Sequence, residues 1–248
     1  MIAMIFAAGK GTRLRPLTDT RPKALVEVDG TPLLQLQLDR LYSLGVRTVI
    51  VNVHHFAQMI VDWLRDYHRD GLQIFISDES QLLLNTGGGL KKAGRQLYQA
   101  VDRQPILIHN VDILDNADLS QLYSACQGVD AVVLVSNRQT QRYLLFDDDM
   151  RLSGWTNIST GEVKTPYQNL DVSKCSRLAF AGIHVVAPRV IDEMAGWPDV
   201  FSIIDFYIKS CDHLVIKGMT YPGLHILDVG KPETLAAAPE MLRSLQQL

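Results

Sequence analysis

Residues 7–25 run Ala-Ala-Gly-Lys-Gly-Thr-Arg-Leu-Arg-Pro-Leu-Thr and on to Arg-Pro-Lys-Ala-Leu, which sets Gly9 and Gly11 beside Arg13 and brings in Lys23 after two prolines. Glycine lets backbone approach an anion closely, successive N–H groups make a concave acceptor for it, and a guanidinium and an ammonium add positive charge in two geometries. A bound polyphosphate needs all three. Ala8, Gly9, Gly11 and Thr12 are the backbone candidates for phosphate contact, with Arg13 and Lys23 the charged ones. Two commoner nucleotide motifs fail. A Walker loop needs Gly-Lys followed by Ser or Thr, and Gly11 stands there; the third glycine of a dinucleotide fingerprint falls on Leu14. Pro16 and Pro22 oppose a helix starting directly after the glycines, so a long stiffened loop is expected.

Two carboxylates, Asp112 and Asp228, each follow a strand-like apolar run. Strand ends on one edge of a parallel sheet are where ligands gather, and two such carboxylates suit one Mg²⁺; read singly, each is more often a turn or cap residue.

The string Gly-x-Gly-Thr-Arg-Leu-x-Pro-Leu-Thr followed by Pro-Lys resembles the signature of the sugar-phosphate nucleotidyltransferases. The likeness continues through Thr86-Gly87-Gly88-Gly89, Asp112, Phe180 to His184, and Leu227-Asp228-Val229-Gly230, and so covers nearly the whole chain. By pattern and length it is most similar to the small N-acetylmuramic acid 1-phosphate uridylyltransferases and the hexose- or heptose-1-phosphate nucleotidyltransferases. The resemblance implies a three-layer α/β/α Rossmann-like fold with a mainly parallel mixed sheet. It also implies transfer of a nucleoside monophosphate from a nucleoside triphosphate to a sugar 1-phosphate, with release of pyrophosphate. Asp112 and Asp228 would hold Mg²⁺, Arg13 the departing β- and γ-phosphates, and Lys23 the α-phosphate; Gly87 and Gly88 would face the base, and Gly182 would admit a hexose ring. The position before the metal aspartate, commonly glycine in that family, is Val111, so the turn is expected to differ and Asn110 to help orient metal or ribose. A non-catalytic nucleotide-sugar sensor on the same fold is the alternative from another class, as is a GTP-dependent mannose or heptose enzyme within the family. The sequence fixes neither base, sugar nor oligomeric state, nor whether Trp155 or Lys164 touches the sugar.

The 248 residues carry 47% hydrophobic and 21% charged side chains and a formal net charge of −3, with basic residues spread along the chain. That excludes the electrostatic footprint of a nucleic-acid or anionic-membrane binder. Cys126, Cys175 and Cys211 lie far apart, with no zinc or redox-pair spacing. The opening Met-Ile-Ala-Met-Ile-Phe run is too short for a membrane span and reads as a buried strand, so the cytoplasm is the expected compartment.

The elements that must position these groups follow from periodicity. Apolar strand-length runs alternate with helix-period segments, the pattern of crossover units around a parallel sheet. Strands are expected at 1–7, 48–53, 72–77, 106–109 and 131–135. Helices are expected at 32–44 with Thr31 as N-cap, and at 59–67, 90–100 and 119–126. Residues 143–146 and 152–155 flank Asp147-Asp148-Asp149 as a hairpin inserted over the sheet, 178–186 and 225–229 are extended, and 232–248 is a closing helix. Lys91 and Lys92 read as an exposed helix face. One domain is expected, 1–248, with a nucleotide half to about residue 110 and a sugar half over 111–248.

Overall fold

A computed structural model describes residues 1–245. The first half contains β1 (Ile2–Phe6), the short pair β2 (Glu27–Val28) and β3 (Thr31–Pro32), α1 (Leu33–Ser43), β4 (Thr48–Val53), α2 (Ala57–Asp66), β5 (Gln73–Asp78), α3 (Asn85–Ala100), β6 (Ile106–Asn110) and β7 (Ile113–Asp115). The second half contains α4 (Leu119–Ser124), β8 (Ala131–Ser136), β9 (Arg142–Phe146), β10 (Leu152–Asn157), β11 (Glu162–Lys164), β12 (Ser176–Val186), α5 (Pro188–Glu193), α6 (Ile203–Ser210), β13 (Ile216–Met219), β14 (Ile226–Asp228) and α7 (Pro232–Leu245). The last three residues of the expected closing helix lie outside the described residues.

The main sheet has the order β11-β10-β9-β12-β6-β1-β4-β5, with β8 paired to β12 and β13 to β8. β1 lies between β4 and β6, parallel to both, and is apolar throughout because both its faces are covered. Its side chains alternate: Ala3 and Ile5 join a core with α1, α2, α4 and α7, while Ile2 and Met4 join one with α3, α5 and α6. Three layers result. The parallel character is confined to β6-β1-β4-β5 and to β8-β13. β12 pairs antiparallel with β6, β8 and β9, so the second half of the sheet is mixed.

Three expectations need correction. The helix after residue 31 begins at Leu33, and Thr31 makes no capping hydrogen bond because it pairs in β3. The acidic hairpin is not laid over the sheet: β9 pairs with the N-terminal end of β12 and extends the sheet edgewise. Its tip matches expectation, with Asp147 Oδ1 accepting from the N–H groups of Asp149 and Arg151. Lys91 is buried, and its ammonium donates to the Trp197 carbonyl at 2.6 Å and pairs with Asp199 at 3.2 Å.

A separate ribbon, β7 antiparallel to β14, stands beside the main sheet. It is tied down by Asp115, whose fully buried carboxylate takes both ends of the Arg40 guanidinium from α1 and the His109 imidazole from β6. Burial alone would raise this carboxyl. The His109 hydrogen bond and the Arg40 charge outweigh it and hold the group well below the usual carboxylate range.

Two predictions follow from this packing. A depressed carboxyl stabilises the fold fully above its unfolded value of about 3.9 and loses that contribution as pH falls toward its folded value. Asp115→Asn is therefore expected to cost about 3 kcal/mol at neutral pH, by urea unfolding, with the deficit shrinking below about pH 4; a deficit constant with pH would rule the ion pair out as its source. Second, an added Cβ at Gly88 would lie 1.9 Å from the Asp199 carbonyl oxygen. Gly88→Ala is expected to lower stability by about 1–3 kcal/mol or more, since backbone has to move; an unchanged urea midpoint would show that the 199–203 segment is not packed there.

Candidate active site

The loop after β1 is built from three 3₁₀ turns, Thr12–Leu14, Leu17–Asp19 and Lys23–Leu25. Leu14 is buried as its anchor. Gly11 has φ +63°, and a Cβ there would lie 2.9 Å from Thr18 Cγ2 and 3.0 Å from Lys23 Cβ, so only glycine lets the loop fold back on itself. Thr18 Oγ1 closes that fold by donating to the Gly11 carbonyl at 2.8 Å. Lys23 is thereby delivered to the mouth of the loop.

There Lys23 Nζ donates to Asp112 Oδ2 in a pair whose side chains are only 13% and 11% exposed. Asp112 sits in the two-residue turn between β6 and β7. Val111 in that turn is buried, donates its N–H to the Phe6 carbonyl and does not take positive φ, so valine is accommodated without strain. Asp228 ends β14, and the Val229 N–H donates to the Asp112 carbonyl at 2.8 Å, which sets the two aspartates on neighbouring chains. Asp228 is not at an edge of the main sheet as the sequence suggested; the β7–β14 ribbon carries it there. Its Oδ2 is 3.6 Å from Arg13 Nη2, and both side chains of this pair are about half exposed.

A cleft of ≈ 550 Å³ opens beside the Lys23–Asp112 pair, lined in part by Ala8, Gly9, Lys23, Asn110, Asp112 and Thr86. Gly9 has open space where a Cβ would stand, whereas the Ala8 N–H is already turned toward Asn52 Oδ1 at 3.3 Å. Asn52 and Glu79 also line the cleft, are both buried, and are hydrogen bonded at 2.7 Å. Sequence reading missed this pair. Asn52 stands near the end of the largely apolar, buried strand β4 and Glu79 follows β5 in a polar turn, and neither spacing signals their contact.

Other expected residues are placed differently. Thr86 to Gly89 lie within the first turn of α3 and not before it. The N–H groups of Gly87 and Gly88 both donate to the Phe201 carbonyl, at 2.9 and 3.3 Å. Neither glycine lines the cleft; Asn85 and Thr86 do. The glycines are needed because the 199–203 segment packs directly on that helix turn. Gly182, at φ +79°, marks the irregularity in β12 where its partner register shifts, and the atom closest to its missing Cβ is Asn110 Nδ2 at 2.6 Å. What it admits is the Asn110 side chain. His184, in the same motif, is wholly buried against Tyr207, and burial pushes its imidazole down to about 3, so it serves as a neutral core residue.

A second hollow of ≈ 540 Å³ lies beyond Phe180, toward the hairpin, lined among others by Arg138, Arg142, Trp155, Lys164, Ser202 and Asp205. Lys164 Nζ stands 5.1 Å from the Trp155 ring centroid and 3.9 Å from Asp205. The segment 199–203 separates the two hollows, with Val200 on one and Ser202 on the other. Two adjoining compartments therefore share a wall; the Lys23–Asp112 pair lines the first, and the Arg13–Asp228 pair neighbours it through the Val229–Asp112 backbone bond.

A family model described as the MobA-like NTP transferase domain matches residues 3–164. The N-acetylmuramate alpha-1-phosphate uridylyltransferase of Caulobacter vibrioides is 34% identical, over 97% of this chain and 96% of its own. The mannose-1-phosphate guanyltransferase 2 of Candida glabrata is 29% identical over 100% of this chain and 66% of its own. Among solved structures, HddC from Yersinia pseudotuberculosis in complex with GMP-PN superposes with a TM-score of 0.75 at 19% identity, covering 97% and 99% of the two chains. With the loop, the mixed three-layer sheet and these similarities together, the chain belongs to the sugar-phosphate nucleotidyltransferase family.

Proposed function

We propose that the protein joins a nucleoside triphosphate to a sugar 1-phosphate, with UTP and N-acetylmuramic acid 1-phosphate as its substrates. The observation that carries this reading is the pairing of Lys23 with Asp112 in the lining of a cleft that Ala8 and Gly9 of the glycine loop also line, with the Arg13–Asp228 pair tied to it through the Val229 N–H bond to the Asp112 carbonyl. The uridylyl and muramic acid assignments rest on the similarity to the Caulobacter relative along both full lengths. A guanosine nucleotide with a mannose or heptose phosphate is the second reading, favoured by the guanyltransferase relative and the GMP-PN-bound neighbour.

In the reaction a sugar phosphate oxygen forms a bond to the α-phosphorus as the bond to the departing pyrophosphate oxygen breaks. Two polyanions meet, and each pair of unit charges about 4 Å apart repels by about 4 kcal/mol at an effective dielectric of about 20. Lys23 is assigned to the α-phosphate as a compact positive charge, and Arg13 to the β- and γ-phosphates as a planar fork. The first hollow and residues to about 110 are assigned to the nucleotide, and the second hollow, with Trp155 and Lys164, to the sugar.

The donor set fits Mg²⁺. That ion is bound through one or two carboxylates together with substrate phosphates. Here two aspartates come together, each already answering a positive charge, while no cluster of three or more His, Cys, Asp or Glu that would cage an ion occurs among the described residues. Asp112 and Asp228 would hold the ion, which when bound supplies charge neutralisation and polarises the phosphoryl group. Retention of both aspartates together with Lys23 favours an enzyme over a sensor. No helix among the described residues is long and apolar enough to cross a membrane, and the buried free thiols of Cys126 and Cys211 suit a reducing cytoplasm.

Pyrophosphate release measured with Mg²⁺ across UTP, GTP, CTP and dTTP against N-acetylmuramic acid, mannose, heptose and glucose 1-phosphates is expected to give one preferred pair, UTP with the muramic acid phosphate. Preference for GTP with mannose or heptose phosphate would establish the second reading, and no release from folded protein would remove the enzyme assignment. Asp112→Asn and Asp228→Asn are each expected to lower kcat by about a hundredfold or more, with melting temperature nearly unchanged in Asp228→Asn, whose partner Arg13 is half exposed, and lowered in Asp112→Asn, which leaves the enclosed Lys23 ammonium unpaired; near-normal turnover in both would remove the metal assignment.

A further inference from the structure

The hydrogen bonds below the cleft form one connected chain. Asn52, at the end of β4, accepts at Oδ1 from the N–H groups of Ala7 (2.8 Å) and Ala8 (3.3 Å), the residues that lead into the glycine loop. Its Nδ2 donates to Glu79 Oε1 at 2.7 Å, and Glu79 Oε2 accepts from the Leu84 N–H at 3.0 Å, the residue that leads into α3. Both side chains are 2% exposed. A Cβ at Gly89 would come within 2.8 Å of Glu79 Oε1 and 3.1 Å of Asn52 Nδ2, so the first turn of α3 is pressed onto the pair.

Glu79 has no cationic partner among the described residues, and its burial is compensated by hydrogen bonds from uncharged donors. A lone buried carboxylate beside a polyanion site is costly on two counts, desolvation and repulsion. Its return is geometric. Bonds to a charged acceptor are short and strong, and an amide that donates to a carboxylate becomes a better acceptor at its own oxygen. Rigidity at Glu79 is thus passed through Asn52 to the backbone at Ala7 and Ala8.

We infer that Asn52 and Glu79 are a positioning pair that fixes the spacing between the phosphate loop and the start of α3, and so sets how a nucleoside triphosphate spans the cleft. This rests on the first hollow being the nucleotide site. Neither residue touches the reacting atoms; both act through the backbone they hold. The pair's work is confined to the nucleotide, and the sugar phosphate compartment is independent of it.

Exchanging the two functional groups tests this. Asn52→Asp alone sets two carboxylates face to face. Glu79→Gln alone leaves either the Leu84 N–H or the Asn52 amide against a donor. Together the two changes restore every bond: the new carboxylate at 52 accepts from Ala7, Ala8 and the new amide at 79, whose oxygen accepts from Leu84, at unchanged net charge. Each single variant is expected to weaken triphosphate affinity, by calorimetry without sugar phosphate, by about tenfold or more. The KM for sugar phosphate at saturating nucleotide should stay within about twofold, and the double variant should return to within about threefold of wild type. Additive losses in the double variant, or equal losses toward both substrates, would overturn the inference while leaving the enzyme assignment standing. A wild type that binds no triphosphate would remove the nucleotide assignment and the inference together. Melting temperatures of all four proteins separate a folding defect, which moves stability without moving the ratio of nucleotide to sugar effects.

Discussion

The ion pair between Lys23 and Asp112 joins residues 89 positions apart, and much of the architecture around it exists to make that meeting possible. Lys23 reaches the cleft only because Gly11, at positive φ, lets the loop fold onto Thr18 and Lys23 itself. Asp112 reaches it because β6 ends in a turn whose Val111 is bonded to the Phe6 carbonyl, while β7 is pulled toward α1 by the buried contact of Asp115 with Arg40 and His109. Asp228 is carried in on the partner strand of the same ribbon. A platform of short strands, held at its back by one charged network, presents two carboxylates at its front.

The two pairs differ in how readily they open. Arg13 and Asp228 are about half exposed, and such a pair is worth little in water, so phosphate can take the guanidinium at small cost. Lys23 and Asp112 are nearly enclosed, and separating them without replacement would strand two charges. Under the proposed assignment a triphosphate and its cation arrive as a matched set, giving Lys23 an anion and Asp112 a cation at once. That coupling explains why a carboxylate is tolerated where a polyanion is to bind.

The glycine loop stood out in the sequence because its chemistry is local, glycine, arginine and lysine at close spacing, whereas Asp112 and Asp228 stood out only through the family resemblance, an acid after an apolar run being more often a turn or cap residue. The parallel strands were legible from periodicity, and β4 was placed to the residue. What escaped depended on contacts across long separations. Gly87 and Gly88 look like a ligand-facing turn, yet they are glycine because Phe201 and Asp199, more than a hundred residues later, press on the helix they begin. Gly182 likewise makes room for Asn110. Lys91 reads as a surface lysine until the Trp197 carbonyl is brought to it. β7 has three residues, too few for a period to show, so its pairing with β14, which falls inside the expected extended segment 225–229, escaped, and the Asn52–Glu79 pair joins a strand end to a turn with no pattern between them.

The most direct test of the matched-set account is Mn²⁺ binding followed by electron paramagnetic resonance, with and without a non-reacting α,β-methylene analogue of UTP. The account predicts weak binding to the protein alone and binding tighter by about a hundredfold or more with the analogue, the gain being lost in Asp228→Asn. Equal Mn²⁺ affinity with and without the analogue would contradict it, because the aspartates would then hold the ion without help from the phosphates.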